Sequence, residues 1–150
     1  VTSTPSQPPT AAFKVRPARR GDATPIVALL QELGVKSDPT IVAWIINHPE
    51  MELMVAADQH EKVIGFATLS HRPVLKTGGR SASIDELIVA QAWQRKGVGR
   101  ALLRKVVERA RVLSVSRLEV QSFSAPSEAV GAFFAACGFE RADVGTYRLK

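Results

Sequence analysis

The sequence predicts an α/β chain of the α+β kind, one mixed sheet flanked by helices, and three observations carry that prediction. First, Ser83 to Val89 is an apolar run of strand length that leads through Gly97 and Gly99 into Val98, Leu102, Val106, Ala110 and Leu113, which recur at helical spacing. Second, Leu53–Ala57 and Val63–Leu69 are β-rich runs joined by the polar stretch Asp58–Lys62, the pattern of an antiparallel hairpin. Third, Ile26, Leu29, Leu30 and Leu33 make one apolar helical face directly after Gly21-Asp22. Neither repeats nor an internal linker interrupt these elements.

The remaining elements follow in order. Residues 1–12 carry no formally charged side chain and are rich in Thr, Ser, Gln and Pro, so they are expected to be a flexible tail before a domain spanning 13–150. Phe13–Pro17 alternates like a first strand, and Asp22 is placed to cap the helix Ala23–Leu33. A second helix is expected from Asp38-Pro39 to just before Pro49, carrying Ile41, Val42, Trp44, Ile45 and Ile46. On that helix Trp44 reads first as a core residue, with a place in a substrate cleft as the alternative. Lys76–Arg80 forms a loop into the central strand, and Arg117–Gln121 is the next strand. Ser127 to Cys137 is a last helix ended by Gly138, and Phe139 with Thr146–Leu149 supplies closing strand material.

Composition narrows the function classes. The 150 residues are 45% apolar and 23% charged, ordinary for a globular domain, and no run approaches the ~20 apolar residues of a membrane span. One cysteine excludes an internal disulfide, and a cytoplasmic setting is the expectation. The net charge of +6 raises nucleic acid as a partner, but aromatics are sparse and no helix-turn-helix, zinc or RNP-like signature accompanies the charge. Arg100, Arg104, Lys105, Arg109 and Arg111 lie largely opposite the apolar stripe of their helix and read as a solvated face. His48, His60 and His71 are scattered, so no metal ligand set is expected; Cys137 reads as a small core residue.

The segment Asp85–Ala101 concentrates the chemistry. Gly97 and Gly99 free the backbone where strand turns to helix, the helix start brings its dipole, and Arg95, Lys96 and Arg100 add positive charge, a cradle for a di- or triphosphorylated ligand. The dinucleotide fingerprint fails because Leu102 stands where its third glycine belongs, and no Gly-Lys-Ser/Thr ending of a P-loop occurs. Instead Gln94-x-x-Gly97-x-Gly99, with a strand before and a helix after, resembles the acyl-CoA pyrophosphate loop of the GNAT superfamily of N-acetyltransferases. Ala132–Phe139 resembles that family's last helix and its Tyr-x-x-x-Gly-Phe ending, with Phe134 at the tyrosine position. The likeness spans roughly residues 13–149.

The resemblance implies a GNAT-like, largely antiparallel mixed sheet, acetyl-CoA as cofactor, and direct acetyl transfer to a primary amine, either a small molecule or a peptide. A second copy of the chain is admitted as a partner. It assigns the backbone of Leu87, Ile88 and Val89 to the pantetheine arm and thioester, and Gln94, Arg95, Lys96, Gly97, Val98, Gly99 and Arg100 to the pyrophosphate. Ser127 falls at a cofactor-contacting position, though it equally serves as a helix cap, and Phe134 lines the same site. A lysine-like amine with a pKa of about 10.4 needs a proton acceptor near pH 7. Asp85 and Glu86 are the candidates, Asp85 first, since alternation would place only one of them in a given cleft and the family's acceptor lies nine or eleven residues before the loop glutamine, at Asp85 or Ser83. Phe134 has no proton for the departing thiolate. Tyr147, the one tyrosine, is a substitute donor or else an edge-strand aromatic. The missing acid also motivates a rival reading, a module of this fold that senses acyl-CoA without catalysis.

Overall fold

The computed structural model describes residues 12–121 and 127–150; of the expected tail, 1–12, only Ala12 lies among them. Five strands, β1 (Phe13–Pro17), β2 (Met51–Asp58), β3 (Val63–Val74), β4 (Gly79–Val89) and β5 (Val115–Val120), form one sheet in that order. Neighbours from β1 to β4 are antiparallel and β5 runs parallel to β4, a mixed, largely antiparallel sheet. Helices α1 (Ala23–Glu32) and α2 (Pro39–Ile46) precede β2; α3 (Val98–Val112) crosses from β4 to β5, and α4 (Glu128–Ala136) follows.

Both faces of the middle strands are covered, which explains their near-continuous apolar sequence. Met54, Ala56, Ala67, Leu69 and Ile84 pack against Leu102, Leu103 and Val106 of α3. On the other face Leu53, Val55 and Phe66 pack against Ile26 and Leu29 of α1 and Val42 of α2. Gly65 lies where these layers press hardest, since a Cβ there would stand 2.8 Å from the Ile88 carbonyl oxygen and 3.2 Å from Leu102. Among the described residues no helix is long and apolar enough to cross a membrane.

Several local expectations are corrected. Asp22 precedes α1 but does not cap it. Its carboxylate instead accepts from Arg16 Nη1 and Nη2 at 2.7 and 3.0 Å and from the Arg19 backbone N–H at 2.6 Å, fastening β1 to the helix start. Desolvation pushes the Asp22 pKa up, but the Arg16 and Arg19 hydrogen bonds and charges outweigh it and hold the group below its ordinary value. The stability it gives is therefore present above the usual carboxylate range and lost as pH falls through the lowered value. Asp22→Asn is expected to cost about 1.5–3 kcal/mol at pH 7, read from the urea midpoint, with the gap to wild type closing in acid.

Asp38 does cap α2, its side chain accepting from Thr40 N, and Pro39 occupies the first helical position. Trp44 is not core: it is 62% exposed and meets His48 edge-on at 4.7 Å. Nor is the arginine-rich face of α3 uniformly solvated, because Arg109 donates to Glu52 of β2 through Nε at 2.9 Å, with Nη2 also at 2.9 Å. No closing strand forms: residues 139–150 have no regular structure, and Tyr147 and Leu149 are each 97% exposed.

Candidate active site

The site begins where β4 parts from β5. Among the described residues their pairing ends at Ile84–Val120 while β4 continues for five more residues, so that among those residues a wedge opens beside Asp85–Val89. Backbone groups of successive strand residues point to opposite sides. Ala90 N–H reaches Ile64 on β3, and the Ile88 carbonyl also faces β3. The N–H and C=O groups of Leu87 and Val89 consequently face the wedge, whereas Ile88 spends its backbone on the sheet and its side chain on the α1–α2 core.

Strict alternation on β4 fails at the carboxylates. Thr68 pairs with Glu86 and Leu69 with Ile84, leaving Asp85 as an extra residue without a β3 partner. Such a bulge shifts every later side chain to the opposite face. Leu87 and Val89 join the α3 core, Glu86 lies on the α1–α2 side with Thr68, and Asp85 does not share a face with Leu87 and Val89 as simple alternation requires.

Thr68 holds Glu86 twice: its hydroxyl donates to Glu86 Oε2, and its oxygen accepts from Glu86 N–H at 3.0 Å. Thr68 is 4% exposed, so this anchor is fixed, while the Glu86 side chain remains open to solvent. Desolvation by the surrounding protein, and then the neighbouring charge of Asp85, raises the Glu86 carboxyl above its ordinary pKa. Thr68 was not foreseen from sequence; its one signal was a hydroxyl within the otherwise apolar run Val63–Leu69.

At the open end of the wedge, Gln91–Trp93 makes a short 3-10 turn and the chain rises to α3. Gln94 is extended, Arg95 has φ +61°, and Gly97 has φ +84° as the residue before α3, with no side-chain cap. The first bond into α3 runs from Ala101 N to Gly97 O, so the N–H groups of Val98, Gly99 and Arg100 precede it and lack intrahelical acceptors. The two glycines serve different needs. Gly97 supplies the left-handed turn, whereas a Cβ on Gly99 would meet Phe133 at 3.6 Å and Val89 at 3.7 Å, ordinary packing distances. Arg95, Lys96 and Arg100 are exposed around these donors, and Lys96 Nζ stands 5.2 Å over the Trp93 ring. Uncapped N–H groups, positive charge and strand backbone groups turned away from β3 fit a pyrophosphate bearing a long amide-containing arm.

Two assigned residues have other work in the structure and one stands apart. Ser127 caps α4, its hydroxyl oxygen accepting from Val130 N at 3.2 Å. Phe134 packs with Phe133 and Phe139, ring centroids 5.3 and 6.0 Å away. Tyr147 lies on the irregular C-terminal segment with its ring against Gly145, and no hydrogen bond joins it to β4.

The fold and this site define an acyltransferase class, and comparison places the chain within it. The Acetyltransferase (GNAT) family model matches residues 24–139, and the chain belongs to that family of acetyltransferases. No curated protein sequence matches it. Among solved structures, a putative acetyltransferase from Agrobacterium tumefaciens str. C58 shares the fold at TM-score 0.80 and 23% identity, covering 91% of this chain and 99% of that one. Glucosamine-6-phosphate N-acetyltransferase from Arabidopsis thaliana does so at 0.78 and 14%, covering 92% and 98%. Ribosomal-protein-alanine N-acetyltransferase from Brucella melitensis biovar Abortus 2308 does so at 0.75 and 20%, covering 93% and 99%.

Proposed function

We propose that this acetyltransferase takes its acetyl group from acetyl-CoA and delivers it directly to a primary amine, with Glu86 as the proton acceptor. The observation that carries the reading is the Thr68-held Glu86 carboxylate beside the β4–β5 wedge. Acetyl-CoA, when bound, supplies an activated thioester; the chain supplies position and proton handling.

The uncapped N–H groups of Val98, Gly99 and Arg100 would receive the pyrophosphate, with Gln94, Arg95 and Lys96 around it and Gly97 setting the turn. Leu87 and Val89 would hold the pantetheine arm through their outward backbone groups, fixing the thioester near Glu86. A raised carboxyl pKa makes Glu86 a stronger base than an ordinary glutamate, better matched to an alkylammonium proton. Asp85, first in sequence, becomes a charge that tunes Glu86. The thiolate leaves without an enzymic acid, its pKa near 8.5 by analogy with cysteine, since Phe134 has no hydroxyl and Tyr147 lies out on the C-terminal segment.

The acceptor's identity is not narrowed by the fold neighbours, whose names include a ribosomal-protein alanine, an amino sugar phosphate and aminoglycosides. Isothermal titration with acetyl-CoA tests the cofactor assignment: saturable one-site binding is expected, and no heat at millimolar ligand contradicts it. Binding without thiol release toward any amine would favour an acyl-CoA sensor.

A further inference from the structure

A hollow of about 530 Å³ opens on the β3 side of β4, away from the wedge, between α1, the start of β3 and the turn that follows β4. Its floor is apolar, with Leu29 of α1 and Val63 and Ile64 of β3 buried there and Trp93 lining it as well. Ala28 and Ala90, whose side chains end at Cβ, leave the space open. Two opposite charges stand on this lining, Glu32 at the last position of α1 and Lys62 immediately before β3. Both are exposed, and neither forms an ion pair, with the other or with any third group, among the described residues. The negative pole of α1 falls at Glu32 and adds to its carboxylate, so that part of the hollow attracts a cation while Lys62 attracts an anion.

We propose that this hollow is a binding site for a small zwitterion with an apolar side chain, an amino acid of the leucine or phenylalanine kind, separate from the acetyl-transfer site. Ligand sites combine an apolar lining with a few placed polar groups, and this lining supplies one group of each charge. An uncharged apolar molecule would leave both charges unanswered, and a singly charged one would answer only one of them. A free amino acid carries its ammonium and carboxylate on a single carbon, which leaves the side chain to cover Leu29, Val63 and Ile64. This occupant is not the acetyl acceptor. Ala90 lies four residues beyond Glu86, about 13 Å along the extended chain. An ammonium held by Glu32 also keeps its proton and is no nucleophile. Trp93 joins the hollow to the cofactor cradle, since Lys96 Nζ stands 5.2 Å over its ring.

The test is a fluorescence titration without acetyl-CoA in a Trp44→Phe background, which leaves Trp93 as the one tryptophan and the reporter. The probes are L-leucine, isocaproate, which lacks the ammonium, isoamylamine, which lacks the carboxylate, and glycine, which lacks the apolar side chain. L-leucine is expected to give a saturable change at millimolar concentration, and glycine none. Each one-charge analogue should bind about threefold to tenfold more weakly than leucine, the worth of an exposed ion pair aided at Glu32 by the helix pole. Glu32→Gln should erase the advantage of leucine over isocaproate, and Lys62→Gln its advantage over isoamylamine. Ala28→Phe fills the hollow from an exposed position on α1 and should abolish the response while the circular dichroism spectrum is unchanged. Equal binding of leucine and both analogues overturns the zwitterion assignment. A leucine response that survives Ala28→Phe, or no saturable response at all, overturns the site.

Discussion

Glu86→Gln is expected to lower kcat/KM for amine acetylation at pH 7 by about 10²–10⁴, with acetyl-CoA affinity unchanged. The glutamine keeps the shape and can still accept from Thr68, but it cannot take the amine's proton. The deficit should shrink as pH rises, because more of the amine arrives deprotonated. Thermal stability supplies an independent sign. Desolvation by the surrounding protein and the Asp85 charge raise the Glu86 pKa, so between its unfolded and folded values the native state binds more protons than the unfolded chain, and stability falls as pH rises through that window. Glu86→Gln should accordingly raise the melting temperature at neutral pH while removing activity. Asp85→Asn should lower the Glu86 pKa by deleting the neighbouring charge, moving the acid limb of the rate profile to lower pH with modest loss at neutrality. Should Asp85→Asn abolish turnover while Glu86→Gln preserves it, the proton acceptor is Asp85.

Gly97→Asp should weaken acetyl-CoA binding by about 10²-fold or more while the protein stays folded. A Cβ at Gly97 meets nothing within 4 Å, so the substitution causes no clash; the strain of φ +84° costs roughly 1–2 kcal/mol, less for Asp than for most residues. What changes is charge, a carboxylate placed beside the uncapped N–H groups of α3. Gly97→Asn carries the same backbone strain without the charge and should retain most of the affinity. Equal weakening by both variants would assign the effect to the turn, and unchanged affinity in Gly97→Asp would move the cofactor elsewhere.

What was legible in the sequence was what local pattern determines. The run from β4 through Gln94, Gly97 and Gly99 into α3 is written in adjacent residues, as are the β2–β3 hairpin, the Asp38-Pro39 helix start and the Gly138 helix end, where φ is +90°. What was not legible depends on partners distant in sequence. The bulge at Asp85 arises from register against Thr68 and Leu69, seventeen and sixteen residues earlier, so the β4 segment alone gave strict alternation and the wrong face for Asp85. Asp22 has the right position for a cap, but Arg16 and the Arg19 N–H capture its carboxylate. Trp44 lies on an apolar helix whose outer side nothing among the described residues covers. Thr146–Leu149 alternates as a strand would, yet alternation gives no neighbour to pair with, and the segment stays irregular.

The most direct measurement of the central claim is thiol release from acetyl-CoA by the purified protein, run with and without a panel of primary amines and with mass spectrometry of the amine. Release that depends on an added amine, an amine product heavier by one acetyl group, and loss of both in Glu86→Gln are the predicted result. Tight acetyl-CoA binding with no amine-dependent release, or release at the same rate in Glu86→Gln, would contradict it.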